Sequence, residues 1–203
     1  AKTDEANSVK KPDADEVPSA QHPLPPVTLT RQLTPATMAF VSDHVIGGNP
    51  VLPTVCAIQW MREAARAHIG APVKVRSYKL LKGIIFDTEA PQTLVLTLTP
   101  EYKGDSLTAI QASISSEGRP QYQASLCLMD GEDNSAPSKA FEEQDNGEAV
   151  TDANTLYSDG TLFHGPRLQG LDKVLRFDEQ GLIASVSLPQ VREVDCGEFV
   201  PSL

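Results

Sequence analysis

Residues 43–70 read DHVIGGNPVLPTVCAIQWMREAARAHIG, and the reading of this stretch decides the fold. Its larger part, Thr54 to Ile69, has Pro53 in front and Gly70 behind. Proline suits a helix start, where its missing N–H would have no intrahelical acceptor. Glycine suits the residue past the end, where a left-handed backbone closes the last turn. The spacing predicts a helix over 54–69. Val55, Ile58, Trp60, Met61, Ala64, Ala65 and Ile69 cover most of its circumference, and Gln59, Arg62, Glu63 and Arg66 leave one narrow polar stripe. Such a helix is expected to be buried on several sides.

Working outward, VTLTRQL (27–33) alternates and reads as a strand. Residues 34–53 form a mixed loop containing Gly47-Gly48. After the helix come four strand-like runs, 73–87, 92–100, 106–116 and 120–129, separated by the turn signals DTEAP, EYKGD and EGRP. One early strand, one buried helix and then a meander of strands predicts an α+β fold. A strongly curved antiparallel sheet wrapped around one long central helix satisfies that order.

The flanks differ in composition. Residues 1–27 hold five of the sixteen prolines, no aromatics and many charges, which predicts a disordered interdomain linker. Residues 130–150 carry seven carboxylates against Lys139, so −6 of the net −10 sits in a second, acidic linker and not at a site. A further unit begins at about 151: TDANTLYSDG is a short helix or loop, TLFHGPRLQGL (161–171) is turn-rich, and 172–178 and 181–189 read as strands. The organisation expected is therefore 28–129 as one complete unit and 151–203 as the start of another.

With 203 residues and 40% apolar content, the chain can build one or two ordinary cores. A net charge of −10 with no basic stripe argues against nucleic-acid binding. No apolar run reaches membrane-spanning length. AKTDEANSVKK lacks the apolar core of a secretory signal, and the missing initiator Met suggests a piece of a longer polypeptide. Cys56, Cys127 and Cys196 are odd in number and widely spaced, which fits a cytoplasmic protein better than a disulfide framework or a zinc site.

Chemistry concentrates at His44-x-x-x-Gly48-x-x-x-x-Pro53, which runs straight into the buried helix. An imidazole titrating near neutrality is a suitable proton acceptor. A helix start offers N–H groups and partial positive charge to a carbonyl oxygen that gains negative charge. Glycine would let the backbone approach a ligand closely. A loop histidine beside two turn glycines has the same spacing, so residues alone leave both readings open.

DHVIGGNPVLP resembles the His-motif of the dehydratase domains of polyketide synthases and polyunsaturated-fatty-acid synthases, which are double hot-dog domains. TLFHGPRLQGL resembles the second motif of that family, commonly Tyr-Gly-Pro-x-Phe-Gln-Gly-Leu, and GLIASVSLP resembles the Ala-x-Val-x-Leu-Pro run that follows it. PVLPTVCAIQWM and the LFHGP form bring the polyunsaturated-fatty-acid type nearer. The resemblance covers about residues 28–203 and implies a complete first hot dog with a partial second one. It further implies loss of water from a β-hydroxyacyl thioester to give a trans-2-enoyl thioester. His44 would be the base, with Gly48, Pro53 and Thr54 at the thioester oxygen and His164, Gly165, Pro166 and Gln169 lining the acyl tunnel. No metal or separate cofactor is implied, because the substrate rides on the phosphopantetheine arm of an acyl carrier protein. Neighbouring synthase domains, and a second copy in a homodimer, are the other partners implied.

Three departures accompany the resemblance. The family's aspartate lies in an Asp-x-x-x-Gln/His motif expected beyond Leu203, and Asp172, Asp178 and Asp195 match no such motif, so residues 1–203 alone are expected to be inactive. His164 and Leu168 replace the common Tyr and Phe. Thr54 stands where Gly or Ala is frequent. A non-catalytic structural or tunnel module, a product-template-like cyclisation domain and a hot-dog thioesterase are the competing readings. His68, in the last helical turn, Cys56, on the helix, and His22, in the linker, are read as structural or incidental.

Overall fold

Three neighbouring strands alternate apolar and polar residues, and their register turns the apolar ones into one surface. The computed structural model describes residues 23–129, 150–179, 181–187 and 200–201. In chain order the strands are Val27–Leu33 (β1), Val45–Ile46 (β2), Asn49–Pro50 (β3), Val73–Leu80 (β4), Gln92–Lys103 (β5), Ser106–Ser116 (β6), Arg119–Leu128 (β7), Thr151–Asp152 (β8), Leu171–Asp178 (β9), Gly181–Val186 (β10) and Val200–Pro201 (β11). The helices are Thr54–Ile69 (α1) and Ala153–Ser158 (α2).

Leu94, Leu96 and Leu98 on β5, Ile110, Ala112 and Ile114 on β6, and Tyr122, Ala124 and Leu126 on β7 are all buried. A period of two places them on one face. Antiparallel pairing sets Leu96 opposite Ile114 and Ile114 opposite Tyr122, and sets Leu98 opposite Ala112 and Ala112 opposite Ala124. The sheet runs β11–β1–β5–β6–β7–β4.

Helix α1 packs on β4, β6 and β7. Its buried residues, Ala57, Trp60, Met61 and Ala65, recur at the three-four spacing of one helical face. Each large apolar side chain fully buried there contributes about 1.5–3 kcal/mol, so packing rather than propensity holds the helix. Gly70 closes it at φ 76°, donating to the Arg66 carbonyl at 2.8 Å. One antiparallel sheet with one long helix across it is the α+β hot-dog arrangement expected.

Several details differ from expectation. Among the described residues α1 buries one face only, and Val55 is 70% exposed, because the sheet covers a single side. The run expected as a strand over 73–87 stops at Leu80. Beyond it the chain leaves the sheet to bond to the segment in front of α1: Leu52 N–H donates to the Ile84 carbonyl and Phe86 N–H to the Pro50 carbonyl, each at 2.9 Å. Arg31, on an inward position of β1, is 5% exposed and lies 4.4 Å from the Trp60 ring, a cation–π contact that alternation alone does not reveal. The linkers expected at 1–27 and 130–150 fall almost wholly outside the described residues, as do Cys196 and the last residues of the 181–189 run.

The second part is a small sheet ordered β10–β9–β8, with α2 packed on β9 and capped by the Asp152 side chain, which accepts from Asn154 N–H at 3.0 Å. β11 pairs with β1 of the larger sheet. Leu96→Ala, in the centre of the buried face, is expected to cost about 2–5 kcal/mol in urea denaturation. Leu182→Ala, at an exposed position of β10, should change little by comparison.

Candidate active site

A 3-10 turn, Ala39–Asp43, buries Phe40 and Val41 and ends at His44, whose N–H donates to the Val41 carbonyl at 3.0 Å. The chain then makes a tight hairpin of β2 and β3. Its two loop residues, Gly47 and Gly48, have φ of 61° and 85°. Positive φ at both is the requirement of the two-residue turn whose twist matches antiparallel strands, and glycine meets it without strain. Turn geometry therefore accounts for the glycine pair, which is exposed, with open space where either Cβ would stand.

The returning strand brings Val51 alongside His44. Val51 N–H donates to the His44 carbonyl at 2.9 Å, and His44 Nδ1 lies 2.8 Å from the Val51 carbonyl oxygen. A carbonyl only accepts, so Nδ1 carries the hydrogen and Nε2 keeps its lone pair. Two residues on, buried Pro53 caps α1, its carbonyl accepting from Cys56 and Ala57. The N–H groups of Thr54 and Val55 have no acceptor within the helix, and no acidic residue occupies its first turn.

The second motif closes over the first. Asp43 is the clasp. Its carbonyl accepts from Gly165 N–H at 2.7 Å, and its carboxylate accepts from Arg167 N–H at 2.9 Å, across 124 residues of sequence. The Arg167 guanidinium donates to the Ala39 carbonyl at 3.0 Å and lies 3.9 Å from the Asp43 carboxylate. A Cβ on Gly165 would fall 2.6 Å from Asp43 Oδ1, so only glycine permits this approach. Pro166 opens a 3-10 turn, and Gln169 Nε2 donates to the His164 carbonyl at 3.1 Å.

His44 and His164 face one another in an isolated antiparallel bridge, with ring centroids 5.5 Å apart. The Phe163 ring meets His44 edge-on at 5.2 Å and stacks on His164 at 4.2 Å. Burial, and secondarily the neighbouring His44, hold His164 below the ordinary histidine pKa, which favours its neutral form. The cleft is open: Ile46, Val55 and Phe163 are exposed beside it, and His44 is half-buried. Surface cavities of about 300 and 260 Å³ lie along β4 and along the outer face of α1, neither touching His44.

The structure thus gathers His44, His164, Gly165, Pro166 and Gln169, with Pro53 and Thr54 at the adjoining helix start and Gly48 at the hairpin tip. Sequence reasoning missed Asp43, Phe163, Arg167, Val51 and Tyr122. The first three stand inside the quoted motifs, but only contact distance separates them from their neighbours. His68 Nε2 lies 2.9 Å from the Pro25 carbonyl, a structural tie, and His22 lies outside the described residues. No group of three or more His, Cys, Asp or Glu side chains able to hold a metal occurs among the described residues. No helix among them is long and apolar enough to cross a membrane.

This geometry has relatives. Residues 19–116 match the profile of the polyketide synthase dehydratase domain. They belong to that dehydratase family. The dehydratase segment continues into a wider similarity: 165 residues, 78% of the chain, are 30% identical to a polyunsaturated fatty acid synthase polypeptide of Thraustochytrium sp. and span 6% of its length. Solved dehydratase domains share the fold. A trans-AT polyketide synthase dehydratase from Brevibacillus brevis superposes with TM-score 0.59 at 21% identity, covering 80% of this chain and 64% of that one. The dehydratase from the CurF module of curacin polyketide synthase gives 0.66 at 12% identity, covering 82% and 61%. The chain therefore spans under two thirds of these domains.

Two outcomes test the site. Gly165→Ala should destabilise by about 1–3 kcal/mol through the clash with Asp43, and clearly less in an Asp43→Gly background. Equal costs in a denaturation double-mutant cycle would contradict the close approach. For His164 the folded pKa lies below the unfolded value of 6.5, so in the window between them the unfolded chain binds more protons. Stability is full above 6.5 and falls as pH drops through the folded pKa. The unfolding midpoint should rise with pH across that window, and His164→Asn should flatten the slope.

Proposed function

We propose that this chain is part of a dehydratase that removes water from β-hydroxyacyl chains held as thioesters on an acyl carrier protein within a multidomain synthase. One observation carries the reading: His44 donates from Nδ1 to the Val51 carbonyl, so its Nε2 lone pair remains as a base beside the start of α1. In the reaction Nε2 takes the α-proton. The electron pair of that C–H bond becomes the new C=C bond, and the β C–O bond breaks as the hydroxyl accepts a proton and leaves as water. Negative charge developing on the thioester oxygen would be met by N–H groups at Thr54 and at the Gly48 turn. A positioned base and acid each contribute roughly 10²–10⁴-fold.

His164, held neutral, would face the substrate as a hydrogen-bonding group. The aspartate implied by the resemblance is assigned to the parent domain outside residues 1–203. His→Phe and Asp→Asn variants of the curacin CurK dehydratase are inactive, which supports a His and Asp requirement for this fold. Greater identity to the polyunsaturated fatty acid synthase of Thraustochytrium, 30% against 12–21% for the polyketide domains cited above, supports a polyunsaturated-fatty-acid type of pathway. The substrate would arrive on the carrier's phosphopantetheine arm, with no metal or further cofactor in the step.

The test is turnover of a β-hydroxyacyl carrier-protein substrate by the parent dehydratase domain, extended beyond Leu203. His44→Ala should lower kcat by about 10²–10⁴-fold without loss of fold. Normal turnover by that variant would overturn the role of His44, and release of free thiol in place of enoyl product would point to a thioesterase.

A further inference from the structure

Tyr122 is a buried phenol on β7 that the proposed reaction does not use. It lies on the face of the sheet beneath α1, fully shielded from solvent. Its hydroxyl donates to the Leu52 carbonyl at 3.3 Å and accepts from Ile84 N–H at 3.2 Å. These two partners are themselves joined, since Leu52 N–H donates to the Ile84 carbonyl at 2.9 Å. That Leu52 N–H belongs to the same peptide unit as the Val51 carbonyl, which accepts from His44 Nδ1. A planar peptide cannot turn one end without the other. Holding Leu52 and Ile84 together therefore aims the Val51 carbonyl at the imidazole.

We propose that Tyr122 is a positioning residue that fixes the tautomer of His44 through the Val51–Leu52 peptide. Neutral imidazole free in water favours the hydrogen on Nε2, the tautomer useless to a base that must act from that nitrogen. The Val51 carbonyl reverses the preference only while it points at Nδ1. Bonds in such a chain polarise one another in a water-poor interior. Burial pushes the Tyr122 phenol up to about 12, so it remains a neutral donor at working pH. Residue-pair packing does not account for the arrangement, because a phenylalanine would fill the same space and make neither hydrogen bond.

The inference rests on the reading of His44 as a base for its significance, but its test involves no turnover, so the two fail separately. Long-range proton–nitrogen NMR spectra of the ¹⁵N-labelled chain report which imidazole nitrogen carries the hydrogen. In the unaltered chain His44 should show Nδ1–H with an unprotonated Nε2. Tyr122→Phe should lose part of the Nδ1–H signal and gain Nε2–H. Ile114→Val, which trims the residue opposite Tyr122 in the sheet, should leave the tautomer unchanged. An unchanged tautomer in Tyr122→Phe, or an equal change in Ile114→Val, would overturn the proposal. Should Tyr122→Phe not fold, hydrogen exchange in the unaltered chain decides: strong protection of the Ile84 amide supports the clamp, and exchange at the unprotected rate refutes it.

Discussion

The peptide between Val51 and Leu52 is the constraint on which the rest depends. Its oxygen accepts from the histidine and its nitrogen donates to the wall formed by Ile84, so a single planar unit is bonded on both sides. The wall in turn leads back to β4, and the residue after Leu52 is the cap of α1. Sheet, helix and imidazole thus share one rigid junction. Burial of Ala57, Trp60, Met61 and Ala65 against the sheet seats the helix, and the seated helix determines where its first N–H groups lie relative to His44. A site placed on such a junction is held by the hydrophobic core without being buried in it.

The second organising contact joins distant parts of the chain. Asp43 offers its carbonyl to Gly165 and its carboxylate to Arg167, and the absence of a Cβ at 165 lets the two loops touch. His44 is the residue immediately after Asp43, and His164 the residue immediately before Gly165. Backbone contact at the clasp is therefore converted directly into ring contact one residue away. Loss of solvent around His164, with a second imidazole facing it, keeps that ring from taking up a proton as readily as a free histidine would. Aromatic contact with Phe163 completes a small apolar collar, yet Ile46 and Val55 leave the cleft open on its outer side.

Much of this was legible in sequence. Thr54–Ile69 as a helix, Val27–Leu33 and Ser106–Ser116 as strands, and His44 as the residue of interest follow from caps, alternation and motif spacing. These are local properties, written in the period of apolar residues and in the φ preferences of Pro53 and Gly70. The glycine pair was legible as a turn, but not as one whose purpose is to return the chain so that Val51 meets His44. Val73–Leu80 was legible only as part of a longer strand, since nothing in LKGIIFD announces that the chain leaves the sheet there.

By itself the sequence determined the α+β order of elements, the family to which residues 19–116 belong and the chemical type of the principal side chain. Only the tertiary structure decided which nitrogen of His44 carries hydrogen, that Asp43 and Arg167 hold the two motifs together, and that Tyr122 stands behind the Val51–Leu52 peptide. The physical reason is the range of the interactions. Helix and strand periodicity is set by neighbours a few residues apart, whereas a hydrogen bond of about 3 Å between groups scores of residues apart exists only once the sheet has brought them together.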